Sequence, residues 1–111
     1  MLHMADRITT YREFWPYYLR EHSKPLTRAI HYIGTVLSLW FLLIAVGAGG
    51  WWWAAVPLSG YGFAWAAHFT VEKNRPATFT YPLWSLLSDY RMFFLWFGGR
   101  LDGHLKAAGV A

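Results

Sequence analysis

The chain has 111 residues, which suffices for one domain spanning 1–111, and 56% of them are hydrophobic while only 14% are charged. A soluble domain carries about 25% charged residues, so the composition favours a membrane protein over its alternative, a soluble protein with a very large core. The absence of Cys excludes disulfides, thiolate nucleophiles and iron–sulfur clusters, and leaves His nitrogen and carboxylate oxygen as metal ligands. The net charge of +4 favours an anionic lipid surface over nucleic acid, since the cations flank apolar segments.

The N-terminal segment lacks an apolar run long enough for a signal peptide. Residues 5–22 are expected to form an amphipathic helix at the membrane interface, because apolar and aromatic residues recur at helical spacing, namely Ile8, Tyr11, Trp15, Tyr18 and Leu19. A soluble packing helix is the alternative. Pro16 is expected to kink or split this helix.

A long uncharged segment follows, since residues 29–71 contain no Asp, Glu, Lys or Arg. A membrane span needs roughly 20 apolar residues, so this segment predicts two spans, the first beginning near Pro25 and the second running over 51–69. Gly47, Gly49 and Gly50 mark the turn between them. Gly34 is expected to let the two helices approach closely.

The flanking cations predict the orientation. Lys and Arg lie before the first span and after the second, whereas the turn between the spans carries none, so both ends of the hairpin should face the cytoplasm. Residues 84–101 predict a last membrane helix, and the tail after Gly99 a solvated end. The predicted fold is an all-α integral membrane bundle of about four helices, in a bacterial inner membrane or the endoplasmic reticulum.

Three histidines are expected to share one depth in this hairpin. His31 lies early in the first span, His68 ends the second, and His22 lies in the turn before the first. Antiparallel packing brings the three together near the cytoplasmic surface, where they can bind a metal ion. His3 and His104, in polar terminal segments, are interpreted as surface residues.

Two carboxylates could join this site. Glu72 follows His68 by four residues and would share its helix face, so it could ligate the metal, orient a ligand, or form an interfacial salt bridge; Asp89 has the same options. Such a ligand set suits Fe(II), with Zn(II) as an alternative. The sequence shows no G-x-S-x-G, Walker A or dinucleotide-binding motif.

Two long stretches carry a resemblance to a known family. FWPYYLREHSKPLTRAIHYIGT and GYGFAWAAHFTVEKNRPATFTYPLWSLLSDYRM resemble the Mpo1-like family over about residues 14–98, in the manner of its short, bacterial-type members. The resemblance implies an Fe(II)-dependent dioxygenase that shortens 2-hydroxy fatty acids by one carbon with O2, in fatty acid α-oxidation. It also implies that His22, His31 and His68 are the catalytic metal ligands. Glu72 and Asp89 match polar positions of the family motifs. From this resemblance we also expect Glu72 to be a catalytic residue.

The substrate of such an enzyme would be held by cations and by aromatic side chains. The fatty acid carboxylate could bind Lys24, Arg28, Arg75 or Arg91, and the acyl chain could lie among Trp and Phe side chains, reached from the bilayer. Two other functions stay open: a non-catalytic membrane scaffold or lipid-binding protein with structural histidines, and a metal-dependent hydrolase of lipid esters. The oligomeric state is not predicted.

Overall fold

The computed structural model describes residues 8–110, and its regular elements are all helical. The prediction of an all-α fold is confirmed, but the described residues form five α-helices, together with a π-helix and a 3-10 turn. The elements are α1 (Tyr11–Arg20), α2 (Pro25–Ala48), α3 (Trp52–Ala67), the π-helix (His68–Glu72), the 3-10 turn (Ala77–Phe79), α4 (Pro82–Phe97) and α5 (Leu101–Ala107).

Helix α1 begins at a cap and continues through its proline. The Thr10 side chain accepts a hydrogen bond from the Glu13 backbone N–H (3.3 Å), which satisfies one of the free donors of the first turn. Pro16 lies inside the helix without splitting it. The expected range of 5–22 was too long: residues 8–10 are not helical, and residues 5–7 lie outside the described part.

Helices α2 and α3 form the predicted antiparallel hairpin. Gly34 packs so closely on α3 that an added Cβ would lie 2.7 Å from Phe63 Cβ and 3.0 Å from the Ser59 carbonyl oxygen, which confirms its expected role in close packing. At the other end, Gly49 and Gly50 turn the chain with φ values of 67° and 63°, a conformation that favours glycine.

Among the described residues, α2 is the one helix that is long and apolar enough to cross a membrane. Helix α3 has 16 residues, shorter than the roughly 20 that a span requires, although the π-helix continues it to Glu72. The two-span hairpin and the integral membrane bundle therefore stay predictions.

The C-terminal residues fold back on α1 instead of forming the solvated end that was expected. Leu101 and Leu105 of α5 are buried in the same core cluster as Phe14 and Leu19 of α1. Their four-residue spacing puts both leucines on one face of α5. Helix α4 also packs on α1. At the start of the hairpin, the Arg28 side chain donates to the carbonyl oxygen of His22, which follows α1.

Candidate metal centre

The three predicted histidines converge on one buried point. The Nε2 atom of His22 lies 3.0 Å from Nε2 of His31 and 3.0 Å from Nε2 of His68. All three side chains are at most 3% exposed. Within the described residues they form the group of His, Asp and Glu side chains that could hold a metal ion. The antiparallel hairpin thus brings together residues as far apart as 22 and 68.

Each imidazole is oriented by a bond to its other ring nitrogen. The Nδ1 atoms of His22 and His31 lie 2.6 Å and 2.9 Å from the carbonyl oxygens of Tyr18 and Thr27. A carbonyl oxygen can only accept, so both rings carry their proton on Nδ1. His68 Nδ1 lies 2.6 Å from Oδ1 of Asn74, another acceptor. All three rings therefore present an unprotonated Nε2.

The Nε2 atoms of the three histidines cannot form hydrogen bonds with one another. With the protons on Nδ1, no hydrogen remains between the Nε2 atoms, and the lone pair of His22 Nε2 lies 3.0 Å from the Nε2 atoms of His31 and of His68. Lone pairs this close repel, and the burial of the rings makes an unpaired acceptor costly. A cation at the point of convergence would satisfy all three, which is how neutral imidazoles bind metals.

The spacing of the nitrogens is compatible with one shared metal ion. The Nε2 atom of His22 lies 3.0 Å from those of His31 and His68, and one ring nitrogen from each of the three residues lies within 4.8 Å of the other two. Ligand nitrogens about 2.1 Å from a metal lie about 3 Å apart when their bonds meet near a right angle. Three imidazoles would leave the other coordination positions of such an ion to further ligands.

The electrostatic surroundings keep His22 neutral. Burial lowers the pKa of His22 well below its usual 6.5, and the neighbouring His31 and His68 lower it further. A metal binds the neutral imidazole, so no proton has to be removed from His22 near neutral pH before a metal can bind.

Tyr18 and Asp89 support His22 from the side of α1. The Tyr18 ring stacks on the His22 ring with centroids 4.0 Å apart, and its hydroxyl donates a hydrogen bond to the Asp89 carboxylate. Burial, followed by the charge of Asp89, raises the pKa of Tyr18 well above 10, so the hydroxyl stays protonated and donates. Asp89 thus contacts the residue that supports His22.

Glu72 lies at the edge of the site and binds the turn between α1 and α2. Its carboxylate accepts hydrogen bonds from the Lys24 backbone N–H (2.6 Å) and the Ser23 hydroxyl (3.2 Å). The prediction that Glu72 shares a helix face with His68 assumed that residues 68–72 form an α-helix. The chain there is a π-helix, whose wider turn changes the direction of Glu72 relative to His68.

The four candidate carboxylate-binding cations lie in different surroundings. Arg28 donates to the carbonyl oxygens of His22 (2.7 Å) and Ser23 (3.0 Å), which places its charge beside the backbone of His22. Lys24 Nζ donates to the Val71 carbonyl oxygen. The guanidinium of Arg75 lies over the Phe79 ring, and that of Arg91 lies 4.1 Å from the centre of the Trp15 ring.

Sequence reasoning missed Tyr18 and Asn74. Tyr18 precedes His22 by four residues within the predicted 5–22 helix, a spacing that could have indicated their contact. Asn74 lies beyond the helix that carries His68, where helical periodicity gives no signal. His104, interpreted as a surface residue, accepts a hydrogen bond at Nδ1 from the Trp15 indole (3.1 Å).

A comparison with family models gives one result that covers most of the chain. Residues 8–101 match the model of the Mpo1-like family, described as 2-hydroxy-palmitic acid dioxygenase Mpo1-like. The chain belongs to the Mpo1-like family. All three converging histidines lie within the matched residues. Searches of curated proteins and of solved structures gave no match.

Proposed function

We propose that this chain is a membrane-bound, Fe(II)-dependent dioxygenase that converts a 2-hydroxy fatty acid into the fatty acid one carbon shorter. The observation that carries the proposal is the set of three buried imidazoles in which Nε2 of His22 lies 3.0 Å from Nε2 of His31 and of His68, without a hydrogen between them. The description of the family as a 2-hydroxy-palmitic acid dioxygenase supplies the reaction class.

His22, His31 and His68 would hold the iron, and no sulfur ligand is available because the chain has no Cys. A ferrous ion bound there would supply open positions for O2 and for the two oxygens of a 2-hydroxy carboxylate. Glu72 and Asp89 are proposed to act through their neighbours: Glu72 holds the turn that carries His22, and Asp89 holds Tyr18 against the His22 ring.

The overall reaction balances without a further reductant. The C1–C2 bond breaks, C1 leaves as carbon dioxide, C2 becomes the new carboxyl carbon, and O2 ends in that carboxyl group and in water. The hydroxy acid itself provides all the electrons that O2 accepts. The role left to the chain is to hold the substrate with its C1 and C2 oxygens towards the histidines.

Arg28 is the strongest candidate among the four cations for positioning the substrate carboxylate. Its guanidinium is fixed by the carbonyl oxygens of His22 and Ser23, so its charge lies beside the site at a set position. A guanidinium binds carboxylates well because its donors match the two oxygens. Arg91 packs on the aromatic side chains of α1 instead.

The proposed membrane location rests on the exposed surface of the hairpin. Only 28% of the most apolar window of α2 is buried, whereas the core helix of a soluble protein is mostly buried. Large apolar side chains are exposed on both helices of the hairpin, among them Trp40, Leu43, Val46, Trp53 and Leu58. A patch of this kind indicates contact with lipid or another apolar partner. An acyl chain dissolved in the bilayer could reach the site from this surface.

The proposal is tested by assaying purified, Fe(II)-loaded protein with 2-hydroxypalmitate. We expect the fifteen-carbon acid to form in air and its formation to stop under argon. The His31→Ala variant, loaded in the same way, should be inactive in air. No product in air would favour a scaffold with structural histidines, whereas activity that persists on a lipid ester under argon would favour a hydrolase.

A further inference from the structure

We infer that Asn74 is the positioning residue of the metal centre: it fixes the ring of His68 in the metal-binding tautomer and ties it to the segment that carries His22. The inference rests on the proposed function only in taking the three histidines as ligands of one metal ion. Asn74 was not among the residues expected to belong to the site.

The side chain of Asn74 has a defined orientation. Its Nδ2 group donates to the Glu21 backbone carbonyl (3.1 Å) and to the Glu21 carboxylate (3.3 Å). Both are acceptors, so the amide nitrogen must face Glu21, and Oδ1 must face His68 Nδ1 at 2.6 Å. An oxygen at that position requires the proton of His68 on Nδ1. Rotating the amide would lose both hydrogen bonds to Glu21 and would turn its N–H groups towards His68 Nδ1.

The backbone holds Asn74 in this position as well. Its N–H donates to the His68 carbonyl oxygen (2.9 Å), so His68 is bound to Asn74 at both its ring and its backbone. Lys73, between the π-helix and Asn74, has φ of 60°, a left-handed conformation that costs a non-glycine residue free energy. Such strain persists where the surrounding structure imposes it, often at functional sites.

Asn74 also connects two metal ligands that come from distant parts of the chain. Glu21 directly precedes His22, while His68 belongs to the end of the hairpin. One carboxamide therefore sets the position of His68 relative to His22. A residue that hydrogen-bonds to a metal-ligating histidine in this way typically raises the metal affinity 10- to 100-fold.

The test uses Asn74→Leu, which removes the acceptor and both donors, and Asn74→Asp, which keeps an acceptor for His68 Nδ1. Ser59→Ala is the control, because its hydroxyl bonds within α3 to Ala55 and Val56. Co(II) affinity is measured by optical titration, and the His68 tautomer of the metal-free protein by ¹⁵N NMR of the ring nitrogens.

We expect Asn74→Leu to weaken Co(II) binding about 10- to 100-fold and to give His68 a mixture of tautomers. Asn74→Asp should keep the Nδ1 proton and bind Co(II) more tightly than Asn74→Leu. Ser59→Ala should match the wild type. If Asn74→Leu does not fold, Asn74→Ser, whose hydroxyl is too short to reach both partners, replaces it with the same expected loss.

Two results would overturn the inference: Co(II) affinity of Asn74→Leu within about twofold of the wild type, or a His68 tautomer that does not change. A purely structural role would lower the melting temperature and leave the tautomer as it was. If the wild type itself bound no Co(II), the proposed function would fail, and the tautomer measurement alone would decide the role of Asn74.

Discussion

The Tyr18 hydroxyl donates a hydrogen bond to the buried Asp89 carboxylate while the ring of Tyr18 stacks on His22. This pair links the core of the helical bundle to one of the three metal-ligand candidates. Asp89 therefore has a role that does not require contact with a metal. The two parts of that role, stability and metal binding, can be separated by mutation.

Replacing Tyr18 by Phe should destabilise the protein and leave metal binding in place. The change leaves the buried Asp89 carboxylate without its donor, which costs about 1–3 kcal/mol of unfolding free energy, but the remaining ring can still stack on His22. Tyr61→Phe is the matched control, since the Tyr61 hydroxyl makes only a long, solvent-exposed hydrogen bond to the Pro82 carbonyl oxygen (3.4 Å). Equal losses of stability in the two variants, or loss of metal in Tyr18→Phe, would argue against this role.

Replacing Glu72 by Ala should lower stability without removing the metal. The carboxylate accepts hydrogen bonds from Lys24 and Ser23, and their loss should cost about 1–2 kcal/mol. Glu72→Gln, which keeps an acceptor oxygen, should cost less. Metal content per chain, measured on both variants, decides between this role and direct ligation: if Glu72 ligates the metal, the content falls in Glu72→Ala.

Gly34→Ala should destabilise the hairpin, because the new Cβ would meet Phe63 Cβ at 2.7 Å and a backbone oxygen at 3.0 Å. Forcing a methyl group into such a contact costs about 1–3 kcal/mol. The control is Gly62→Ala on α3, where a Cβ meets nothing within 4 Å, and where Ala stabilises a helix by up to about 1 kcal/mol. Thermal unfolding should move in opposite directions for the two variants, and a common direction would contradict the close packing.

The metal-free protein should lose stability as the pH falls from 7 to 5. The pKa of His22 is lowered in the folded state by burial, His31 and His68, so the unfolded chain takes up the proton first, at about pH 6.5. Below that pH the unfolded state binds more protons, and the unfolding free energy falls by up to about 1.4 kcal/mol per pH unit for one group.

His22→Gln removes this contribution. Its unfolding free energy should depend less steeply on pH between 7 and 5 than that of the wild type, since the groups common to both proteins largely cancel in the comparison. Denaturant unfolding of both metal-free proteins across this range measures the difference. Parallel curves would show that His22 does not titrate in the unfolded chain at a higher pH than in the folded one.

The sequence was sufficient to predict that the three histidines meet. An uncharged stretch with a glycine turn predicts a hairpin, and antiparallel packing necessarily brings the beginning of one helix near the end of the other, so His31 and His68 could be paired without a structure. His22 could be placed near this pair because only a short turn separates it from the beginning of α2.

The supporting residues could not be predicted, because they depend on local backbone geometry. The π-helix changed the direction of Glu72, and a left-handed Lys73 brought Asn74 back to His68. Helix α5 has only seven residues and is held by the burial of Leu101 and Leu105, a tertiary effect that outweighs the weak helix-forming tendency of so short a segment.

The most direct test of the metal centre is the iron content of protein loaded with Fe(II) under anaerobic conditions and then desalted. We expect the wild type to retain about one iron per chain, as three converging imidazoles imply, and the His22/His31/His68→Ala triple variant to retain almost none while keeping its helical circular dichroism. A wild type without iron, or a folded triple variant that retains as much, would contradict a metal centre built from these three histidines.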